Sequence, residues 1–141
     1  MIEATTHTYG VSYYSIALLN ALGDKQRILS LSRPFVGGPQ YYMQLLFISA
    51  QKGGVYQYGD ICKTVLESES QSFSQREQLS DHVVKSANLL EDGEEVLDPS
   101  TGQVYGNFIA FFLVMSRTSR KEAIRIGREI ERWVREYIDG F

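Results

Sequence analysis

A chain of 141 residues with a formal net charge of −3 is sized for one domain, which at that length buries about two thirds of its unfolded surface. Hydrophobic residues at 43% and charged residues at 22% exclude a disordered or fibrous chain. The mildly acidic balance gives no pull toward nucleic acid or anionic membrane, and the longest apolar run, Phe108 to Met115, is far below the ~20 residues of a spanning helix.

The first strong pattern is VSYYSIALLNAL, Val11 to Leu22. It predicts a helix with Val11, Tyr14, Leu18 and Leu22 on one face and Gly23 as its stop. Tyr13, Ile16, Ala17 and Ala21 widen the apolar surface, so this helix is expected to be covered on more than one side, within the core. Arg27 to Ser32 alternates loosely and suggests a short strand. Arg33-Pro34 and Gly37-Gly38-Pro39 then mark a loop.

Tyr41 to Ser49 is aromatic-rich and reads as a strand, which Gly53-Gly54 separates from Val55 to Tyr58 in an expected hairpin. After Asp60 a weak helical pattern places Ile61, Val65 and Leu66 on one side. Glu67 to Gln78 is a polar stretch expected as a surface loop or short helix. His82 to Leu90 returns to strand composition, with turns expected at Asp92-Gly93 and Thr101-Gly102, and a long strand runs from Val104 to Met115.

The last element is the clearest. Ser119 caps a helix with Glu122 three residues on, the spacing of a capping box. Ala123, Ile126, Ile130, Val134 and Tyr137 then recur at helical spacing, widened by Trp133 and Ile138. Its polar face interleaves Arg125, Arg128, Arg132 and Arg135 with Glu129, Glu131 and Glu136, with pairing expected from Arg125 to Glu129 and Arg132 to Glu136. The expected fold is α+β over residues 1–141: one domain with a mainly antiparallel sheet packed against an N-terminal and a long C-terminal helix.

Chemistry-bearing motifs are sparse. His7 and His82 lie far apart and in no metal-ligand spacing, although His7 sits at the start of the first expected helix, where anions are favoured. Cys62 is the lone cysteine; it can form no internal disulfide and reads as a small buried hydrophobe. There is no G-x-S-x-G elbow and no P-loop, so Lys52-Gly53-Gly54 reads as a turn. Arg33 beside Gly37-Gly38 could meet a carboxylate. Tyr41, Tyr42, Phe47, Tyr56 and Tyr58 could line a pocket, but aromatic residues on adjacent strands are more often cross-strand packing. The candidate substrate-binding residues are therefore His7, Arg33 and Lys52, with no catalytic or metal-ligating set. The N-terminus lacks the form of a signal peptide, so a cytoplasmic location is expected.

The order of the motifs resembles one family. HTYGVSYYSIALLNALGD (His7 to Asp24) is similar to the helix that follows the metal-binding strand in ATP-grasp ligases. LLFISAQKGGVYQYGDI (Leu45 to Ile61) resembles the strand and Gly-Gly turn of their C-terminal lobe. LLEDGEEVLDPSTGQVYGNFIAFFLVMSRTSRKEAIRIGREI (Leu89 to Ile130) resembles their closing segment. Two places depart from the pattern: Lys63 to Ser80 is long, and Gln44 stands where related lobes often carry a basic residue.

The resemblance implies a parent ligase that phosphorylates a carboxylate with ATP before an amine attacks it, chemistry that needs cations and magnesium-binding carboxylates. The family's ATP-binding lysines and its Glu-x-Asn metal strand are not found in this chain, and Glu3 is not followed by the Asn of that strand. Two readings follow. In one, the chain is a C-terminal lobe of a carboxylate–amine or biotin-carboxylase-like ligase, incomplete alone, with ATP and magnesium held by the rest of the parent. In the other, it is a stand-alone binding module or homodimer. A small carboxylate or amine is the substrate class implied.

Overall fold

The computed structural model describes residues 2–67, 79–101, 107–139 and 141. Three helices come first: α1 (Ile2–Tyr9), α2 (Tyr13–Ala21) and α3 (Lys25–Leu31). They are followed by β1 (Tyr42–Ser49), β2 (Gly54–Val55) and α4 (Ile61–Glu67). A 3-10 turn at Leu79–His82 leads into β3 (Val83–Asn88), then β4 (Glu95–Val96), a 3-10 turn at Pro99–Thr101, β5 (Phe108–Ser116) and α5 (Arg120–Tyr137). This is the expected α+β arrangement, with a long C-terminal helix on an antiparallel sheet.

β5 is the centre of the sheet, in the order β1-β5-β3, and both neighbours run antiparallel to it. Leu46 faces Phe112 and Gln44 faces Val114 across the first pair, while Ser86 faces Phe112 across the second. Successive side chains alternate between faces. One face therefore carries Leu46, Ile48, Ala110, Phe112 and Val114, and α5 lays Ala123, Ile126, Ile130, Val134 and Ile138 on it; all of these residues are buried. α4 adds Ile61, Cys62 and Val65 to the same core.

Ser119 begins α5 as expected, its hydroxyl accepting from the Glu122 amide at 3.1 Å. The Glu122 carboxylate lies on Arg125, at 2.7 and 3.0 Å, so Arg125 pairs backward with Glu122 where Glu129 was expected. Arg132 does reach Glu136, and also Glu129. These pairs sit on the solvent side, where each adds only tenths of a kcal/mol.

Gly127, buried at the middle of α5, lets the helix approach β1. A Cβ built there would fall 2.8 Å from Gln44 Cδ, and the Gln44 Oε1 is buried with no hydrogen-bond partner among the described residues. Gly127→Ala should gain helix propensity yet lose about 1–3 kcal/mol to overpacking. Adding Gln44→Ala should return most of that loss, a coupling that a double-mutant cycle in urea would read.

Three expectations are corrected. Arg27 to Leu31 belong to helix α3, with Ser32 as its C-cap, and not to a strand. Asp24 caps it, with Oδ1 accepting from the Arg27 amide at 3.0 Å and its carbonyl from the Ile28 amide at 3.1 Å. The expected hairpin across Gly53-Gly54 does not form either: β2 pairs with β4 in a separate two-stranded sheet. Gly53 permits that pairing, because a Cβ there would meet the Asp98 backbone nitrogen at 2.8 Å. Finally, α2 is not a core helix. Leu19 is its one buried residue, and Tyr14, Leu18 and Leu22 are exposed.

Other expectations meet the structure with shifted bounds. α1 lies ahead of the helix read from sequence, the strand expected at Val104 to Met115 is described from Phe108, and Tyr137 is half exposed where core packing was expected. The Glu67 to Gln78 stretch lies, but for its first residue, outside the described residues, as does Gly102 of the second turn. No helix among the described residues is long and apolar enough to cross a membrane.

Candidate functional site

The second sheet face is crossed by α1. The Glu3 carboxylate pairs with Lys85 of β3 at 2.7 Å, and that contact holds the Glu3 carboxyl below the usual carboxylate range and raises Lys85. At the other end of α1, His7 meets the Tyr41 ring edge-on at 6.2 Å, and the Arg117 guanidinium lies over the same ring at 5.4 Å. Tyr41 precedes β1, and Arg117 lies between β5 and the Ser119 cap of α5. Residues from three distant parts of the chain thus converge at this end of the sheet. Arg33 sits on an exposed loop that returns to it: the Phe35 amide donates to the Tyr9 carbonyl and the Gln40 amide to the Thr8 carbonyl, each at 3.0 Å.

His7 and the Arg33 loop therefore share one end of the molecule. Lys52 does not join them. It is exposed in the turn after β1, and the eight residues of that strand separate the two ends by roughly 25 Å. His82 sits nearer the first end, its Nδ1 3.1 Å from the Met115 carbonyl oxygen. Arg117 was missed from sequence because nothing in a local motif places it on Tyr41.

The polar knot under α4 lies on the opposite sheet face. Asn88 Nδ2 donates to the Tyr56 hydroxyl at 3.0 Å and to the Gly59 carbonyl at 2.5 Å; its Oδ1 accepts from the Cys62 amide at 3.3 Å. The Tyr56 hydroxyl donates to the same Gly59 carbonyl at 2.7 Å, and Asp92 accepts from the Gly59 amide at 2.8 Å. Tyr58, Tyr137 and Phe141 close over this region with ring centroids 5.3 to 6.4 Å apart. The aromatic set read from sequence is thus divided: Phe47 packs on Phe108 and Phe111, while Tyr56 and Tyr58 pack on Phe141.

Burial pushes the Tyr56 phenol up to about 12 and the Cys62 thiol up to about 11, from usual values of 10.0 and 9.0; hydrogen bonds from Asn88 and Ser86 oppose the rise. Both shifts favour the neutral forms, and Cys62 sits in the core as a small buried side chain. Each raised value means that the folded state holds a proton the unfolded state releases first. The stabilisation is whole below about pH 9 and is lost as pH rises toward 11 for Cys62 and 12 for Tyr56. Tyr56→Phe should therefore lower the melting temperature at pH 7 through its lost hydroxyl bonds, yet flatten the decline between pH 10 and 12, as a calorimetric pH series would show.

Among the described residues, no three His, Cys, Asp or Glu side chains gather as a metal site. What the described residues expose is the cationic and aromatic end around Tyr41 and the apolar face of α2.

No family model matches the chain, and no solved structure matches it. One curated protein does: the chain is 35% identical over 132 residues to the ATP-grasp enzyme fsqD of Aspergillus fumigatus, a match covering 91% of this chain and 21% of that enzyme. The chain is thus related to an ATP-grasp enzyme along nearly its whole length, and spans about a fifth of it.

Proposed function

We propose that this chain is a C-terminal lobe of an ATP-grasp carboxylate–amine ligase, on the substrate side or at an interface, and that it contributes contacts while the reacting groups lie elsewhere in the parent. The observation that carries this reading is the match to fsqD, which covers 91% of the chain but 21% of the enzyme. On this reading ATP and magnesium are held by the other ATP-grasp domains. Arg33 and Arg117, at one end of the sheet, offer positive charge to a small carboxylate, with the His7 ring on Tyr41 beside them; Lys52 serves a separate contact at the far end.

Titrating the chain with magnesium-ATP tests the proposal. No binding heat at millimolar nucleotide is expected, and tight binding would sink the assignment. The alternative, a stand-alone non-catalytic binding or dimerisation module, is favoured by one observation: the exposure of Tyr14, Leu18 and Leu22 on α2. An ATP-blind chain that sediments as a stable dimer would select it.

A further inference from the structure

Residues 3–40 carry α1, α2, α3 and the Arg33 loop, and they hold together as one arm. α2 and α3 pack on each other, and Asp24 both follows the first and caps the second. The loop is fastened to α1 by the Phe35 and Gln40 amides on the Tyr9 and Thr8 carbonyls, each at 3.0 Å. The Phe35 ring also covers Gly10, so closely that a Cβ there would fall 2.6 Å from it. To the sheet, by contrast, the arm is thinly fastened. Among its described residues Leu19 alone is buried, whereas α5 buries Ala123, Ile126, Ile130 and Val134. α1 lies on β1 with Glu3, Ala4, Thr5 and Thr8 half-buried. The ion pair from Glu3 to Lys85, at 2.7 Å, joins side chains that are 45% and 52% exposed. Elements with few buried contacts open first, and helices of seven to nine residues are marginal once off their support.

We infer that this arm is a gate over the carboxylate site: Arg33 and His7 ride on the arm, Tyr41 and Arg117 stay with the sheet, and the Glu3 to Lys85 pair is the latch between the halves. The chain passes from arm to sheet at Tyr41, the ring that His7 meets at 6.2 Å and Arg117 at 5.4 Å. Joint and site therefore coincide. Swinging the arm out takes Arg33 away from Arg117 and leaves each half with a single guanidinium. A carboxylate that accepts from both bridges the joint, and binding it closes the arm. Salt opposes the latch, because a pair this exposed is screened over a Debye length of about 3 Å at 1 M. The inference rests on the carboxylate reading above and adds how that site opens and closes.

Hydrogen exchange on the present chain tests both parts. The hydrogen-bonded amides of residues 16–22 should exchange at least about a hundredfold faster than those in the middle of α5. In Lys85→Gln they should exchange about two- to fivefold faster again, with α5 unchanged. Exchanging the charges, Glu3→Lys with Lys85→Glu, should restore the native rate. An arm as slow as α5, or one indifferent to Lys85→Gln, would overturn the latch. For the site the probe is sodium malonate, with its dissociation constant taken from calorimetry and sodium chloride matching the ionic strength. At about ten times that constant malonate should slow the arm about tenfold by closing it, and Arg33→Gln or Arg117→Gln should abolish the slowing. Malonate that binds with heat but leaves the arm's rate unchanged would overturn the gate and leave the carboxylate reading standing. No binding heat would sink that reading and the gate with it. The lobe reading fails on a different measurement, tight magnesium-ATP binding by the chain, so the failures are separable.

Discussion

Phe112→Ala should cost about 3–5 kcal/mol of folding stability, the range for removing a buried aromatic ring. Phe112 is fully buried on the central strand, paired with Leu46 on one side and Ser86 on the other, within the core cluster that contains Ile126 and Ile130. β5 is the one strand joined to both neighbours in its sheet, so little can shift inward to fill the void. For a chain of this length the loss corresponds to a melting temperature lower by roughly 10–20 °C. Phe112→Leu, which keeps most of the volume, should cost less than half as much. Urea unfolding followed by circular dichroism would measure both. An unchanged slope with a shifted midpoint would identify the effect as lost stability.

The elements built on one strong local signal were legible in the sequence. Ser119 with Ala123, Ile126, Ile130 and Val134 marks α5 because cap and core stripe agree in period, and the apolar run of β5 marks a central strand. Where the deciding partner is distant, the reading failed. Gly53-Gly54 looks like a hairpin locally, but Gly54 and Val55 pair with residues some forty positions away. Arg27 to Ser32 alternates loosely like a strand, and what makes the stretch a helix is the Asp24 cap that lies ahead of it. α1 has no apolar period to read, and it is fastened from outside by the Glu3 to Lys85 pair.

The site was less legible than the fold for the same reason. His7 was singled out, but its neighbours Tyr41 and Arg117 meet only through the ends of α1, β1 and β5. The period of α2 correctly reported an apolar face. Period alone says that a surface seeks burial, not that the same stretch of chain supplies the cover.

Asn88→Asp should be the most damaging near-isosteric change in the polar knot, at about 2–4 kcal/mol near neutral pH. The native amide donates twice, to the Gly59 carbonyl at 2.5 Å and the Tyr56 hydroxyl at 3.0 Å, while its oxygen accepts from the Cys62 amide. An aspartate keeps the shape but turns the donor into a second acceptor facing the Gly59 carbonyl. Tyr56 can rescue one carboxylate oxygen only by withdrawing its own hydrogen bond from Gly59. Low pH restores a donor, because a protonated carboxyl can give its hydrogen to Gly59. The aspartate at this position should therefore titrate above the unfolded carboxylate value of about 3.9. Its stabilising, protonated form is whole below that value and is lost as pH rises through the folded one. The stability gap between the variant and the native chain should accordingly narrow as pH falls toward 4, and Asn88→Ala should show no such narrowing. Paired urea titrations at pH 4 and pH 7 would read it. A gap that is constant with pH would mean that the carboxylate escapes to solvent and that the knot does not hold the segment around Gly59 and α4 on the sheet.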